Sequence, residues 1–417
     1  MKYPIGIQNF DEIRIGEYAY IDKTRLIYKL VDEGKYYFLS RPRRFGKSLL
    51  ISTLEAYFRG QKELFNGLAI YDLEQEWLEY PVFHIDLNTA NFREKDSLFA
   101  ILNDYLCNWE KEYGKSESET TLALRFKGVV ERAAKKTGSN VVILVDEYDK
   151  PMLQTFHDRE LQDNYRNELK AFYSVLKTQD RYIKFAFLTG VTKFGKVSVF
   201  SDLNNLMDIS MDNRYISICG ITENELKANF KEGIAELSDA TGDTEEATIE
   251  KLRANYDGYH FVDNSIGIYN PFSLLNTLAR LKFDDYWFET GTPTFLVELM
   301  KLHHYELRNL TKEQISADVI NSIDSMSTNP IPVIYQSGYL TIKGYNERFK
   351  KYKLGFPNQE VEQGFLNFLL PRYSSAGDKS SYFIEEFVKD AEAGNPERFM
   401  QRLSTMLADT DYKVVGN

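Results

Sequence analysis

Residues 46–48 have the sequence Gly-Lys-Ser, and they lie between a strand-like stretch, YYFLS at 36–40, and a helix-like stretch. A loop that binds phosphate needs a strand before it, inward backbone N–H groups, a lysine for the β- and γ-phosphates and a hydroxyl for magnesium. Lys47 and Ser48 supply the last two, and the dipole of the following helix favours phosphate charge. We therefore predict a site for ATP and Mg²⁺, with Ser48 as a metal ligand. The residues expected to contact the nucleotide are Arg43, Arg44, Phe45, Gly46, Lys47, Ser48 and Leu49.

The beginning of this loop departs from the usual spacing, G-x-x-x-x-G-K-[ST]. That spacing asks for a glycine at position 41, where this chain has an arginine followed by Pro42. Gly46 is retained where the backbone must approach the phosphate most closely, whereas position 41 only begins the turn. Pro42 has no N–H to donate and stiffens the loop. Because Gly-Lys-Ser also occurs by chance, the loop alone does not decide the function.

Paired carboxylates follow a second apolar stretch, VVILVDEYDKP at 141–151. Asp146, at the end of the predicted strand, is a candidate magnesium ligand, and Glu147 is a candidate for polarising an attacking water. The alternative is an acidic turn after a strand. Together with the upstream Gly-Lys-Ser, the pair favours hydrolysis over transfer of phosphate to a small substrate.

A third polar segment follows the strand-like stretch IKFAFLT, at 183–189. Thr189 or Thr192 is a candidate contact for the γ-phosphate or the attacking water, and Lys193 for neutralising developing charge. The alternative is a polar loop that caps a strand. Arg43 and Arg44 are also open to several roles, since they can contact phosphate, pair with acids or act as an arginine finger on a neighbouring subunit.

The elements that must position these residues alternate between strand-like and helix-like patterns. This alternation predicts an α/β fold with a parallel sheet and helical crossovers. The five strand candidates are residues 36–40, 81–87, 141–145, 183–189 and 215–219.

After residue 220 the pattern becomes mainly helical. Two further strands, 339–343 and 350–356, flank a turn, and helices followed by a hairpin are typical of a winged helix. The turn is basic, which favours contact with nucleic-acid phosphates, while the alternative is a solvated hairpin whose lysines protect an edge. The helix candidates are residues 222–239, 244–259, 269–281 and 292–302, and the basic residues of the turn are Arg348, Lys350, Lys351 and Lys353.

Composition gives a broader frame for these motifs. The chain has 417 residues with a formal charge of −11, which argues against a surface coated for nucleic acid but allows one local basic face. Its two cysteines and five histidines have no zinc spacing. There is no signal-peptide pattern and no apolar run of roughly 20 residues, so we expect a cytoplasmic protein.

Several motifs occur in an order that resembles the prokaryotic AAA-ATPase-like proteins, whose members usually carry a C-terminal PD-(D/E)XK nuclease domain. The resemblance implies an additional-strand P-loop core of the AAA type. In such a core the strand at 183–189, which ends at Thr189, lies between the loop strand at 36–40 and the Asp-Glu strand at 141–145. The resemblance also implies a helical lid and a winged-helix-like domain after the core. No nuclease-type acid and Glu-x-Lys strand is found in 376–417, so no nuclease residues are assigned; either the chain ends before that domain or the protein lacks it. The motifs are YIDKT (20–24), FLSRPRRFGKSLL (38–50), ILVDEYDKP (143–151), LTGVTKF (188–194), YDGYHF (256–261), YNPFS (269–273) and YQSGYLTIKGY (335–345).

These inferences predict a magnesium-dependent ATPase, AAA-like or STAND-like, that serves as a regulatory or motor module for an effector such as a nuclease. Lys47, Glu147 and Thr189 are the expected catalytic residues. Turnover is expected either to be slow or to be activated by a partner, and a homo-oligomer is a candidate assembly. The alternative is a nucleic-acid-binding module in which ATP is structural or only a switch. The expected parts are a core at 1–220, a lid at 221–305, a winged-helix-like domain at 306–375 and a helical linker at 376–417.

Overall fold

The computed structural model describes residues 1–193, 199–200, 203–289, 314–321 and 330–373. Its centre is a five-stranded sheet in which all neighbouring strands run parallel, in the order β2-β3-β4-β1-β5. The strands are β1 (Tyr36–Ser40), β2 (Val82–Asp86), β3 (Val141–Asp146), β4 (Ile183–Gly190) and β5 (Met207–Asp208). This arrangement confirms the predicted α/β P-loop fold, with β4 inserted between the loop strand and the Asp-Glu strand.

The central strands are continuous apolar runs because helices cover both faces of the sheet. Every residue of β1 and β3 is buried. Register brings the functional ends together, since Ser40 pairs with Gly190 and Asp86 with Asp146. The helices of this half are α1 (Phe10–Ile15), α2 (Thr24–Glu33), α3 (Lys47–Phe58), α4 (Ala69–Leu73), α5 (Ser97–Tyr113), α6 (Leu122–Thr137), α7 (Lys150–Gln154), α8 (Arg159–Tyr173) and α9 (Val175–Thr178).

The strand predicted at 215–219 is wrong. The chain forms a short 3-10 helix at Asn213–Tyr215 and then turns, and the fifth strand of the sheet lies earlier, at Met207–Asp208. The Asp212 side chain accepts a hydrogen bond from the Arg214 backbone and starts this turn. Tyr215, Ile218 and Cys219 are buried, Tyr215 against α2 and the other two beside Phe45 of the loop. A short apolar run does not distinguish a strand from other buried backbone.

The segment after the sheet forms a second, smaller apolar core. Its first helix is started by a capping box between Thr222 and Glu225, and Asn270 caps a later helix through two backbone N–H groups. The helix predicted at 222–239 is two helices, separated at Phe230. The elements are β6 (Ile221–Thr222), α10 (Glu223–Asn229), α11 (Lys231–Thr241), α12 (Glu245–Tyr256), β7 (Ile268–Tyr269), α13 (Pro271–Arg280) and α14 (Tyr286–Glu289).

The last described segment contains the predicted hairpin in a three-stranded antiparallel sheet, ordered β8-β10-β9. Several of its apolar residues, among them Ile334 and Leu340, are buried in the same core as the parallel sheet. The predictions at 292–302 and 376–417 lie outside the described residues. The elements are β8 (Gln314–Ser316), α15 (Ala317–Asn321), α16 (Ile331–Gln336), β9 (Thr341–Asn346), β10 (Lys351–Gly355) and α17 (Gln359–Tyr373). Among the described residues, no helix is long and apolar enough to cross a membrane.

Candidate nucleotide site

The Gly-Lys-Ser loop connects β1 to α3 at the carboxyl edge of the parallel sheet, where ligands of such folds bind. Gly46 caps the helix with φ of 92°, in the left-handed region that favours glycine. Arg44 also has a positive φ, 66°, which sharpens the turn. The loop therefore has the form needed to bring backbone N–H groups to a phosphate.

Lys47 is buried, with 4% of its surface exposed, and it is held between the loop and the Asp-Glu strand. Its Nζ donates to the carbonyl oxygens of Arg41, at 3.2 Å, and Pro42, at 3.3 Å. The same nitrogen lies 3.3 Å from Glu147 Oε1. Lysine and glutamate from separate elements thus meet at one point, where a buried charge needs a counter-charge.

Asp146 receives hydrogen bonds from both neighbouring elements. Ser48 Oγ donates to its Oδ2 at 2.6 Å, and Thr189 Oγ1 donates to its Oδ1. The Glu147 backbone N–H also donates to Oδ1, at 3.0 Å. A hydroxyl next to a carboxylate is the hard oxygen donor set that magnesium prefers, so Ser48 and Asp146 fit this ion.

A second carboxylate, Asp149, holds the loop that follows β4. Its Oδ2 accepts from Thr192 N at 2.6 Å and Thr192 Oγ1 at 2.7 Å, and its Oδ1 accepts from Val191 N at 3.2 Å. Burial, and then the nearby Glu147 charge, raise the pKa of Asp149 to about 6, against the hydrogen bonds from Thr192. Gly190 is required here, because a Cβ on it would lie 2.5 Å from Asp149 Oδ1.

The loop, α3 and α7 surround a cleft of about 950 Å³. Four cationic side chains besides Lys47 line it, against one acid, Glu147. This excess of positive charge suits a polyphosphate. The four are Arg43, Arg44, Arg93 and Lys150. Lys150 Nζ also donates to Asn88 Oδ1, and burial lowers the pKa of this lysine.

An apolar pocket of about 100 Å³ adjoins the cleft beside the loop. Gly46 and Leu49 line both cavities. The pocket walls come from α2, α3, the turn before β6 and α13, and include Tyr20, Phe45, Ile218, Cys219 and Leu275. A flat heteroaromatic base attached to a phosphate in the cleft has an apolar environment at this point.

The predicted site residues fall into two groups. Arg43, Arg44, Gly46, Lys47 and Ser48 line the cleft, as do Leu49 and Glu147. Thr189 is fully buried and contacts Asp146, and Phe45 is buried against Tyr259 and Phe261 at ring-centroid distances of 4.8 and 5.7 Å.

Two further candidates, Thr192 and Lys193, are not among the described residues that line the cleft. Thr192 Oγ1 is bonded to Asp149, and Lys193 Nζ lies 2.8 Å from Asp208 Oδ2. Sequence reasoning did not single out Asp149, although a third acid two residues after the Asp-Glu pair was the available signal.

Arg41, at the position of the missing glycine, is 1% exposed. Its Nη1 donates to Ser40 O at 3.0 Å and Ser210 O at 2.8 Å, and the guanidinium carbon lies 3.8 Å from the centre of the Phe261 ring. Burial lowers the pKa of Arg41 to about 10, which leaves it charged at neutral pH. The side chain therefore points under the loop, and the Arg41 and Pro42 carbonyls accept from Lys47.

Comparisons with known proteins assign this chain to a family. A family described as "Predicted AAA-ATPase" matches residues 4–200, which include β1 to β4 and the site residues from Arg41 to Lys193. An uncharacterised protein from the vnfD 5′ region of Azotobacter chroococcum mcd 1 is 39% identical over 376 residues, 89% of this chain and 70% of that protein.

A solved structure, the ORC2 protein of Aeropyrum pernix in ADPNP and ADP complexes, is 12% identical, with a TM-score of 0.29 over 87% of this chain and 97% of that one. A TM-score this low says nothing about shared function. The family match spans the loop, the acid pair and β1 to β4. The chain belongs to the AAA-ATPase-like family, and its function is of the ATPase type.

Proposed function

We propose that the protein binds ATP with magnesium in the cleft and hydrolyses it. One observation carries this proposal: Lys47 and Ser48 of the loop meet Glu147 and Asp146 of β3 at 3.3 and 2.6 Å. Ser48 and Asp146 would hold the metal, which neutralises charge on the phosphate oxygens when bound. Such a set is assembled from two elements nearly 100 positions apart in the chain, which an acidic turn alone would not require.

The side chains have separate roles in this proposal. Lys47 binds the β- and γ-phosphates and leaves Glu147 to accept a proton from the attacking water. Thr189 keeps the Asp146 carboxylate oriented through its hydroxyl. Arg43 and Arg44 are exposed at the cleft, where either one can contact phosphate or reach the site of another copy.

The adenine base is proposed to occupy the apolar pocket beside the loop. Its walls are mainly aliphatic and aromatic, and it shares Leu49 with the cleft. In this position the base is next to α13, which begins within the YNPFS segment and lines the pocket with Pro271 and Leu275. Phe261 of the YDGYHF segment instead lines a separate small cavity with Arg41, on the other side of Phe45.

The test compares wild type with Glu147→Gln and Lys47→Ala, each assayed for ATP binding and for phosphate release. We expect Glu147→Gln to bind ATP normally and to lose roughly 100-fold or more in kcat, the scale of general-base catalysis. We expect Lys47→Ala to lose affinity. Glu117→Gln, at an exposed position away from the cleft, is the matched control. Phosphate release by Glu147→Gln at the wild-type rate would refute the proposed role of this residue.

We further propose that the ATPase cycle acts on an effector, such as a nuclease, in the cytoplasm, with a homo-oligomer as a candidate assembly. The proposed parts are the core at 1–220, the lid at 221–305, the winged-helix-like domain at 306–375 and the linker at 376–417. Coupling of the ATPase site to the later segments is supported by the apolar core, which contains residues of the parallel sheet and of the segment at 331–365.

Nucleic-acid binding is a second candidate function, and the β9–β10 hairpin favours it. Four basic residues are exposed at or beside its turn, and none of them has an ion pair among the described residues. Phe349 at the turn is 61% exposed, with the Arg348 guanidinium 5.4 Å from its ring. The four basic residues are Arg348, Lys350, Lys351 and Lys353.

The test measures the salt dependence of DNA binding by fluorescence anisotropy. Replacing all four residues by glutamine should reduce the slope of log K against log salt by about 3 to 4 if each contacts a phosphate. An equal slope for wild type and the variant would refute the contact. The control variant removes four lysines elsewhere on the surface: Lys111, Lys115, Lys135 and Lys136.

A further inference from the structure

The phosphate loop is held from outside by residues that come after the sheet. The Arg41 guanidinium stacks on Phe261, at 3.8 Å from the ring centre. Pro42 packs so closely against Gly338 that a Cβ on this glycine would lie 2.6 Å from Pro42 Cβ. Gly338 also has φ of 92°, so this position favours glycine for two reasons.

The next two residues of the loop are contacted in the same way. Trp287 Nε1 donates to the Arg43 carbonyl at 3.1 Å. The Arg44 guanidinium lies 4.9 Å from the centre of the Phe272 ring. Residues 41–44, which stand where a phosphate loop is usually flexible, therefore each contact a segment that follows the sheet.

The loop after β4 is held by the same later segment that packs on Pro42. Lys193 N donates to Gln336 Oε1 at 2.5 Å, and Gln336 Nε2 donates to Ile320 O. Gln336 is 6% exposed and is the last residue of α16, two positions before Gly338. One short segment, residues 336–338, thus contacts both loops that border the proposed γ-phosphate position.

Both loops border the cleft, the phosphate loop through Arg43 and Arg44 and the described part of the loop after β4 through Val191. The Pro42 carbonyl accepts from Lys47, and the Thr192 backbone and hydroxyl donate to Asp149. Thr192 immediately precedes Lys193, whose backbone N–H is bonded to Gln336. A displacement of Gln336 therefore moves the loop after β4 relative to the phosphate loop.

We propose that Gln336 is a positioning residue of the ATPase site, through which residues 336–338 respond to the γ-phosphate. This inference rests on the proposed function and adds the route by which the nucleotide state reaches the C-terminal segment. Since binding free energies are reciprocal, a γ-phosphate that stabilises the loop at 191–193 also stabilises the segment at 336–338.

Two substitutions change the hydrogen bonds of Gln336 and keep the volume of its side chain. Gln336→Met keeps the volume of the side chain and removes both hydrogen bonds. Gln336→Glu keeps the acceptor for Lys193 N but places an oxygen against the Ile320 carbonyl. Gln179→Met is the matched control, because Gln179 is an equally buried glutamine, 4% exposed, just before the amino end of β4 and away from the cleft.

The experiment measures kcat and KM for ATP, together with hydrogen exchange of residues 331–339 with ADP or with ATPγS. Circular dichroism establishes that each variant is folded at the assay temperature. In wild type we expect stronger protection of 331–339 with ATPγS than with ADP. In both Gln336 variants we expect that difference to disappear and kcat to fall at least tenfold, with the dissociation constant for ADP changed less than threefold.

Other outcomes overturn the inference in distinguishable ways. Equal protection by ADP and ATPγS in wild type refutes it, as does a kcat loss no larger than that of Gln179→Met. Wild type that binds nucleotide without hydrolysing it contradicts the proposed enzymatic function, and the exchange experiment then still decides on Gln336. Wild type that binds no nucleotide overturns both.

Discussion

Glu360 offers a quantitative test of how the later segments are joined to the phosphate loop. It lies at the start of α17 and is 1% exposed. Its Oε1 accepts from Trp287 N at 2.7 Å and Ser273 Oγ at 2.9 Å, while Oε2 has no hydrogen-bond partner among the described residues. Burial raises the pKa of Glu360 to about 8, so the folded protein keeps it protonated at neutral pH.

The sign and size of the effect on stability follow from proton linkage. Between about pH 4.5 and 8 the folded state holds this proton and the unfolded state does not, so the free energy of unfolding falls as pH rises. The slope is about 1.4 kcal/mol per pH unit. From about pH 5.5 to 7.5, wild type should therefore lose on the order of 2–3 kcal/mol relative to Glu360→Gln, and above about pH 8 the difference should stay constant.

The assay is urea unfolding, followed by circular dichroism, of both proteins from about pH 5.5 to 8.5. Glu110→Gln is the control, since hydrogen bonds from Arg125 hold the pKa of Glu110 below its usual value. This glutamate is ionised in both states across the range, so its substitution should cost an amount of stability that does not change with pH. A difference between wild type and Glu360→Gln that is equally constant would show that Glu360 is ionised in the folded protein and would refute the reasoning.

Three substitutions, of Trp287, Gly46 and Gly190, test the contacts that shape the phosphate loop and the end of β4. Trp287→Phe should keep the packing but lose the hydrogen bond to the Arg43 carbonyl, a cost of about 1 kcal/mol. We expect ATP binding, measured by titration with a fluorescent nucleotide, to weaken by roughly 3- to 10-fold. Unchanged affinity would contradict a role for this bond. Gly46→Ala should lower the free energy of unfolding by about 1 kcal/mol or more, measured by urea unfolding, because of its positive φ. Gly190→Ala should disrupt the Asp149 contacts and reduce phosphate release far more than Gly344→Ala, where a Cβ meets nothing within 4 Å; equal losses would count against a role for Asp149.

Much of the fold was predictable because its signals are local in the chain. Buried parallel strands are continuous apolar runs, so four of the five strand predictions, including 36–40 and 141–145, coincide with strands of the sheet. The pairs Lys47-Ser48 and Asp146-Glu147 were predictable for a related reason. Parallel strands put their carboxyl ends at one edge, so the loop that follows β1 and the last residue of β3 are brought to the same edge.

What sequence reasoning missed depends on contacts between distant segments. The stretch at 215–219 is as apolar as a strand, but it forms a turn, with Tyr215 buried against α2 and Ile218 and Cys219 beside the loop. The role of Asp149 depends on Thr192, which β4 places beside it. Neither arrangement leaves a periodicity that a single sequence could show.

Arg41 is the clearest case, because its residue type argues against a phosphate loop when the sequence is considered alone. A glycine there would give the turn freedom, which the chain must lose when it binds a nucleotide. This chain removes that freedom in advance: Pro42 fixes its own φ, and Arg41 is bonded to Ser40 O and Ser210 O and stacked on Phe261. The carbonyls of both residues are thereby held where Lys47 Nζ reaches them, at 3.2 and 3.3 Å. The loop therefore keeps this conformation only when the later segments are in place. A protein that lacks residues 259–338 is expected to bind nucleotide less well through this loop than the full chain does.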